Sequence, residues 1–242
     1  MEESRWSCRG TSIERRGVVL KLIIGNKNYS SWSMRPWIAM KVANIPLEET
    51  VISLNDPNFK QVVGPVSGTG KVPVLIDGEV RVWESLAILE YLAEKYPEAG
   101  LWPAEGRVRA VARAVSNEMH AGFLPLRRQM PMNMWRPVIK RELTPEVAAN
   151  VQRVESIWSE CRERYGKKGG PFLFGGFGAT DAMYAPVVGR LNTYNVDVTP
   201  TTKAYMDAVM QLQAWREWHA AALKETWVLA EDEVDWPVVR RV

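Results

Sequence analysis

The sequence predicts an α/β domain with a mixed sheet, followed by an all-α domain. Three observations carry this. Strand-like and helical runs alternate as far as Gly100, and Asp77-Gly78 divides two short apolar runs in the manner of a tight hairpin turn. Beyond "PEAGLWPAEG" strand-like alternation gives way to helical spacing up to Lys224. The resulting organisation is an N-terminal extension at 1–17, an α/β domain at 18–97, an all-α domain at 106–225 and a C-terminal tail at 226–242.

Taken in order, "MEESRWSCRGTSIERRG" mixes both charges without the apolar core of a signal peptide and reads as a loose extension. "VVLKLIIG" is a short β-branched-rich run, expected as a strand buried on both faces. The hydroxyl-rich "NYSSWSMRPW" starts a helix, with serine as N-cap and Pro36 in the first turn, where a missing N–H is harmless. "MRPWIAMKVANI" has helical spacing, and "EETVISL" reads as a second strand. After a Gly, Pro and Ser-rich stretch, "KVPVLIDGEVRVWE" supplies the hairpin. "ESLAILEYLAEKYPEAG" is an amphipathic helix with Leu86, Leu89, Leu92 and Tyr96 on one side, stopped by Pro97 and Gly100. No internal repeat or low-complexity tract occurs, and the tail shows no interpretable periodicity.

A chain of 242 residues with 46% hydrophobic residues has material for one large core or two packed smaller ones. Its +3 charge, from 31 Lys+Arg against 28 Asp+Glu, is too balanced to predict nucleic-acid or membrane-surface binding, so any anionic ligand is expected to be small. Cys8 and Cys161 form no C-x-x-C pair, which disfavours a disulfide scaffold and a dithiol site and makes a reducing cytoplasm the expected compartment. No run approaches the length of a membrane span.

His120 and His219 lie in different predicted helices without ligand-spaced partners, so no metal site is expected and both read as packing or surface residues. There is no G-x-S-x-G elbow, and "GPVSGTGK" lacks the Ser or Thr that a phosphate loop needs after its lysine.

The spare serines remain. One would suffice as a cap, whereas several hydroxyls at a helix N-terminus, beside unpaired N–H groups and the positive dipole end, suit an anion. A thiolate is such an anion, and a hydroxyl donor there would keep a bound thiol ionised near neutral pH. Val72-Pro73 opens a strand with a proline. Were the bond cis, the Val72 main chain would turn outward to pair with an extended peptide. Glu84 and Ser85 open a helix where Ser85 is able to cap, neighbouring N–H groups bind a carboxylate and Glu84 holds an ammonium; the plain alternative is a capped helix with an acidic first turn.

In this order the three elements resemble the glutathione transferase superfamily, in particular a bacterial zeta-like class, over roughly Leu20 to Leu223. "SSWSMR" is similar to the zeta motif S-S-C-S-x-R, "GKVPVL" to the loop with the cis-proline, and "ESLAILEYL" to the start of the γ-glutamyl-binding helix. The resemblance implies a thioredoxin-like first domain, glutathione as co-substrate and a homodimer. It assigns Ser30 to the thiolate with Ser31 sharing the task, Ser33 to a structural cap and Arg35 to added positive potential. Val72, next to Pro73, would pair with the cysteinyl backbone, Glu84 and Ser85 would hold the γ-glutamyl end, and Lys71 the glycyl carboxylate.

Trp32 stands where the zeta motif has cysteine, which removes a thiol and adds an apolar wall; this weighs against maleylacetoacetate isomerase activity. Gly178 stands where the superfamily's capping box has Ser or Thr, with Asp181 keeping its first-turn role. A small hydrophobic electrophile is expected between the domains along "EMHAGFLPLRRQMPMNMW", with Met130, Met132, Met134 and Trp135 as candidate lining and Arg127 and Arg128 facing water. The expected function is a cytoplasmic glutathione transferase. The alternatives are a zeta-like isomerase, a non-catalytic glutathione-binding or protein-interaction module, and, least favoured, a dithiol-exchange enzyme.

Overall fold

The structure, a computed structural model, describes residues 19–166 and 169–234; the extension predicted at 1–17 lies outside them. Strand β1 (Leu20–Ile24) leads into helix α1 (Ser31–Val42), then β2 (Leu47–Val51) and the short α2 (Phe59–Val63). β3 (Val74–Asp77), β4 (Val80–Trp83) and α3 (Ser85–Lys95) complete the α/β domain. The sheet order is β2-β1-β3-β4, with β1 parallel to β2 and antiparallel to β3, so the sheet is mixed.

Pairing of Asp77 with Val80 leaves a two-residue loop, Gly78-Glu79, in which Gly78 takes φ +57° without a Cβ penalty. β1 departs from the both-faces-buried expectation. Leu20, Leu22 and Ile24 are fully buried, whereas Lys21 points to solvent opposite Glu48, because that side of the sheet is open there. Pro36 also falls later than predicted: the helix begins at Ser31, so the proline lies in its second turn and the Trp32 carbonyl loses its i+4 donor.

The second domain contains α4 (Gly106–Ala121), α5 (Leu124–Gln129), α6 (Pro145–Cys161), α7 (Ala179–Thr193), α8 (Pro200–Met210) and α9 (Gln213–Ala222). α7 is its axis, buried along nearly its whole length and packed on α1, α4 and α8. One hydrophobic core therefore runs through both domains.

Asp181 accepts from the Gly178 N–H at 2.9 Å, the Leu173 N–H at 3.0 Å and the Tyr205 hydroxyl at 3.1 Å, which fixes the start of α7. Glycine supplies no side-chain half of the capping box, for a steric reason. A Cβ at position 178 would stand 2.8 Å from the Leu101 carbonyl oxygen, which itself takes the Ala179 N–H at 2.7 Å. Restoring the usual residue with Gly178→Ser is accordingly expected to destabilise the protein by about 1–3 kcal/mol, read from urea unfolding. A gain in stability would show that the serine cap outweighs the crowding.

Candidate active site

The turn from β1 into α1 is held from three directions. Asn26 Oδ1 accepts from the Leu54 N–H at 2.8 Å, and Asn28 Oδ1 accepts from the Met134 and Trp135 N–H groups at 2.7 and 3.0 Å. From the chain's far end, the Glu225 carboxylate accepts from the Lys27 and Asn28 N–H groups at 2.6 and 2.9 Å. These bonds fix where the serines of α1 sit.

Ser30 is the N-cap, its Oγ accepting weakly from the Ser33 N–H at 3.4 Å and donating to Ser33 Oγ at 2.8 Å. Ser33, expected as the cap, instead accepts from the Gly25 N–H at 3.0 Å and so ties the end of β1 to the helix. Ser31 Oγ accepts from Arg190 Nη2 of α7 at 3.2 Å. Ser30 and Ser31 are each 6% exposed and open onto a cleft of about 360 Å³ between the domains.

A smaller groove of about 140 Å³ adjoins it, lined by Thr69, Pro73 and Glu84, and Trp32, Lys71 and Val72 border both spaces. The Val72-Pro73 bond is cis. Glu84 takes φ +70°, a strained conformation for a non-glycine residue, at the head of α3. Ser85, expected as a capping residue, is the first helical residue and fully buried, and its Oγ accepts from Arg35 Nη1 at 3.4 Å. The larger cavity of about 770 Å³, between α1 and α9, is a weaker candidate: its lysines are already paired, Lys27 with Glu49 at 2.7 Å and Lys41 with Glu217 at 2.8 Å.

Three guanidinium groups surround the floor of the cleft. Arg35 is fully buried, its guanidinium carbon 4.3 Å from the Trp32 ring centroid, with Nε and Nη2 unpartnered. Burial first, then the charges of Arg127 and Arg190, push its pKa well below that of an ordinary guanidinium. Arg127 turns inward, unlike the expectation, while Arg128 is exposed. It donates to the last carbonyls of α4, at 2.9 Å to Gly122 and 3.1 Å to His120, and lies 4.7 Å from the Trp32 centroid. His120 packs edge-on against Trp32 and brings Nε2 to 3.7 Å from Glu84; burial lowers its pKa, which keeps it neutral at pH 7.

Of the expected lining, Met132 borders the cleft. Met130 does not: it is 1% exposed and offers only its carbonyl, to Arg190 Nε at 2.8 Å. Met134 lies behind the cleft, against Gly189. Trp135 is fully buried beneath it, packed edge-on against Tyr29 with its indole N–H on the Ala222 carbonyl at 2.8 Å, so it serves the core.

A family model described as the glutathione S-transferase N-terminal domain matches residues 26–100, and one described as the C-terminal domain matches residues 144–221. The chain belongs to the glutathione S-transferase family. It is 38% identical to a probable maleylacetoacetate isomerase of Caenorhabditis elegans over 40% of its length, and spans 45% of that relative. It is 27% identical to the maleylacetoacetate isomerase of Rattus norvegicus over 81% of its length, covering 91% of that protein. A glutathione transferase homologue from Burkholderia, whose crystal structure contains bound glutathione, shares the fold at TM-score 0.63 and 22% identity, over 84% of this chain and 98% of that one. This member of the family is zeta-like by its relatives, and its first domain is the thioredoxin-like one that the motifs implied.

Sequence reasoning missed Arg190 and the tail. Arg190 had a signal, a single arginine in the otherwise apolar "AMYAPVVGRL". The tail had none: Leu229 packs on Tyr29 and Trp135, Glu233 accepts from the Tyr29 hydroxyl at 2.6 Å, and Asp232 borders the cleft. Among the described residues no helix is long and apolar enough to cross a membrane, and no group of three or more His, Cys, Asp or Glu is placed to hold a metal ion. Cys161 is buried, which pushes its thiol up to about 12, far from reactive.

Proposed function

We propose that the protein is a glutathione transferase in which Ser30 holds the bound thiol ionised for attack on a small hydrophobic electrophile. The observation that carries this reading is the position of Ser30 and Ser31, at the N-terminus of α1 and on the wall of the cleft, next to Trp32, which borders both the cleft and the groove. Hydroxyl hydrogens rotate freely. If Ser33 donates to Ser30 in place of the reverse, the Ser30 O–H is free to donate a hydrogen bond to the sulfur without movement of a heavy atom. The thiol proton leaves to water, and the sulfur forms a bond to the electrophilic carbon as that carbon's bond to its leaving group breaks. The leaving group departs with the electron pair, and the product departs as a thioether.

In this reading glutathione lies along the smaller groove. Val72 pairs with the cysteinyl backbone beside Pro73, Glu84 receives the γ-glutamyl end with the buried Ser85 behind it, and Lys71 receives the glycyl carboxylate. Arg35 anchors Ser85 and adds positive potential, while Met132 contributes to the wall met by the electrophile. The bound glutathione in the Burkholderia homologue supports the ligand. A homodimer in the cytoplasm completes the reading. The names of the nematode and rat relatives favour a second one, isomerisation of a maleyl-type diketo acid, against which stands Trp32 in place of the zeta cysteine.

The test is the ultraviolet thiolate absorbance of bound glutathione across pH. A thiol of this type titrates near ~8.5 when free. Wild-type protein is expected to lower that value, and Ser30→Ala to raise it again by about one unit and reduce kcat on the order of 10²-fold. Glutathione bound with an unshifted thiol would point instead to a non-catalytic binding module.

A further inference from the structure

We infer that Arg190 of the helical domain is a positioning residue for the thiolate site, orienting the Ser31 hydroxyl and placing a permanent positive charge beside the sulfur. The inference rests on the glutathione reading above. Arg190 is only 4% exposed and borders the cleft. Nε donates to the Met130 carbonyl at 2.8 Å and Nη2 to Ser31 Oγ at 3.2 Å, while Nη1 has no hydrogen-bond partner. No carboxylate among the described residues forms an ion pair with it.

A buried guanidinium without an ion-pair partner is costly; Asp232, which also lines the cleft, offsets part of the charge without pairing with it, and the cost falls further when another anion arrives nearby. The adjoining cleft is where one arrives. Burial, then Arg127, lowers the Arg190 pKa to about 10, so the group stays charged at neutral pH.

Ser31 explains how that charge reaches the ligand. Its oxygen already accepts from Arg190, so its hydrogen is free to turn toward the cleft that Ser31 lines, and a hydroxyl polarised by a cation is a stronger donor. The two serines thus have separate supports, Ser30 from Ser33 within α1 and Ser31 from α7 across the domain boundary. Arg127 is committed to the carbonyls ending α4, and Arg35 lies under Trp32 bonded to Ser85. The remaining charged groups at the cleft are Lys71, which adds to the positive field, and Asp232, which opposes it; burial raises Asp232 to about 6, so it is ionised at pH 7.

The experiment titrates bound glutathione by thiolate absorbance in full-length wild type, Arg190→Met, Arg190→Lys and Ser31→Ala, and measures S-methylglutathione affinity alongside. Arg190→Met is expected to raise the bound-thiol pKa by about one unit. Arg190→Lys, which keeps the charge but loses the fork, is expected to recover about half of that shift. Affinity for S-methylglutathione, whose sulfur does not ionise, is expected to stay within about twofold, which separates an effect on the sulfur from a distorted groove. A lowered wild-type thiol pKa that Arg190→Met leaves in place overturns this inference alone. A wild-type protein that does not lower the thiol pKa overturns the Ser30 reading and this one with it. Should Arg190→Met fail to fold, Arg190→Lys and Ser31→Ala carry the test, and no shift in either overturns the inference.

Discussion

Trp135→Ala is expected to destabilise the protein by about 3–5 kcal/mol while leaving the kinetics of the folded fraction close to wild type. The indole is fully buried between Tyr29 and Leu229 beneath the β1–α1 turn, so truncation opens a cavity where three distant parts of the chain meet. It also removes one of two donors to the Ala222 carbonyl at the end of α9, leaving the Glu225 N–H at 3.1 Å. For a chain of this length the loss corresponds to a fall in Tm on the order of 10 °C. Thermal unfolding followed by kcat/KM at a temperature where the variant is folded checks both halves. Wild-type stability with a raised KM would return Trp135 to the substrate wall.

Asp181→Ala is the second large effect, also about 3–5 kcal/mol, because it leaves the Leu173 N–H, the Gly178 N–H and the Tyr205 hydroxyl buried without their acceptor. The conservative Asp181→Asn isolates the charge. Burial raises this carboxyl to about 6, with the three donors pulling the other way, whereas the unfolded chain ionises near ~3.9. Between those values the native state holds a proton that the unfolded state has released. The unfolded state binds fewer protons there, so the contribution to stability falls as pH rises from about 4 to about 6. Urea midpoints across that window should carry this downward component in wild type and lose it in Asp181→Asn. If the substitution instead removes a component that rises with pH, the three donors outweigh burial and the folded carboxyl titrates below its unfolded value.

Much of the fold was legible because it rests on local rules. Asp77-Gly78 announced the hairpin, the apolar spacing after Ser85 announced α3, and the loss of alternation after Gly100 announced the helical domain. The serine cluster was legible as a helix start, since capping is a matter of a few neighbouring residues. Side-chain destinations were less so. Met130, Met132 and Trp135 share one apolar segment, whose course is fixed by long-range bonds from the Met134 and Trp135 N–H groups to Asn28 and from Arg190 to the Met130 carbonyl. Likewise the Leu101 carbonyl that excludes a side chain at 178 comes from a remote loop. The tail escaped because its order comes from Leu229 packed on Tyr29 and Trp135 and from Glu233 accepting from the Tyr29 hydroxyl, contacts that leave no periodicity to read.

That last arrangement bears on biosynthesis. The Lys27 and Asn28 N–H groups and the Tyr29 hydroxyl are translated 197 to 204 residues before their acceptors, Glu225 and Glu233. Domains fold as units during synthesis, N-terminal ones first. The α/β domain therefore collapses around a turn whose donors still face water, and that turn is finished only once Glu225 and Glu233 have been made. A chain cut short before Glu225 has the serines, but not the clasp that holds their turn in place.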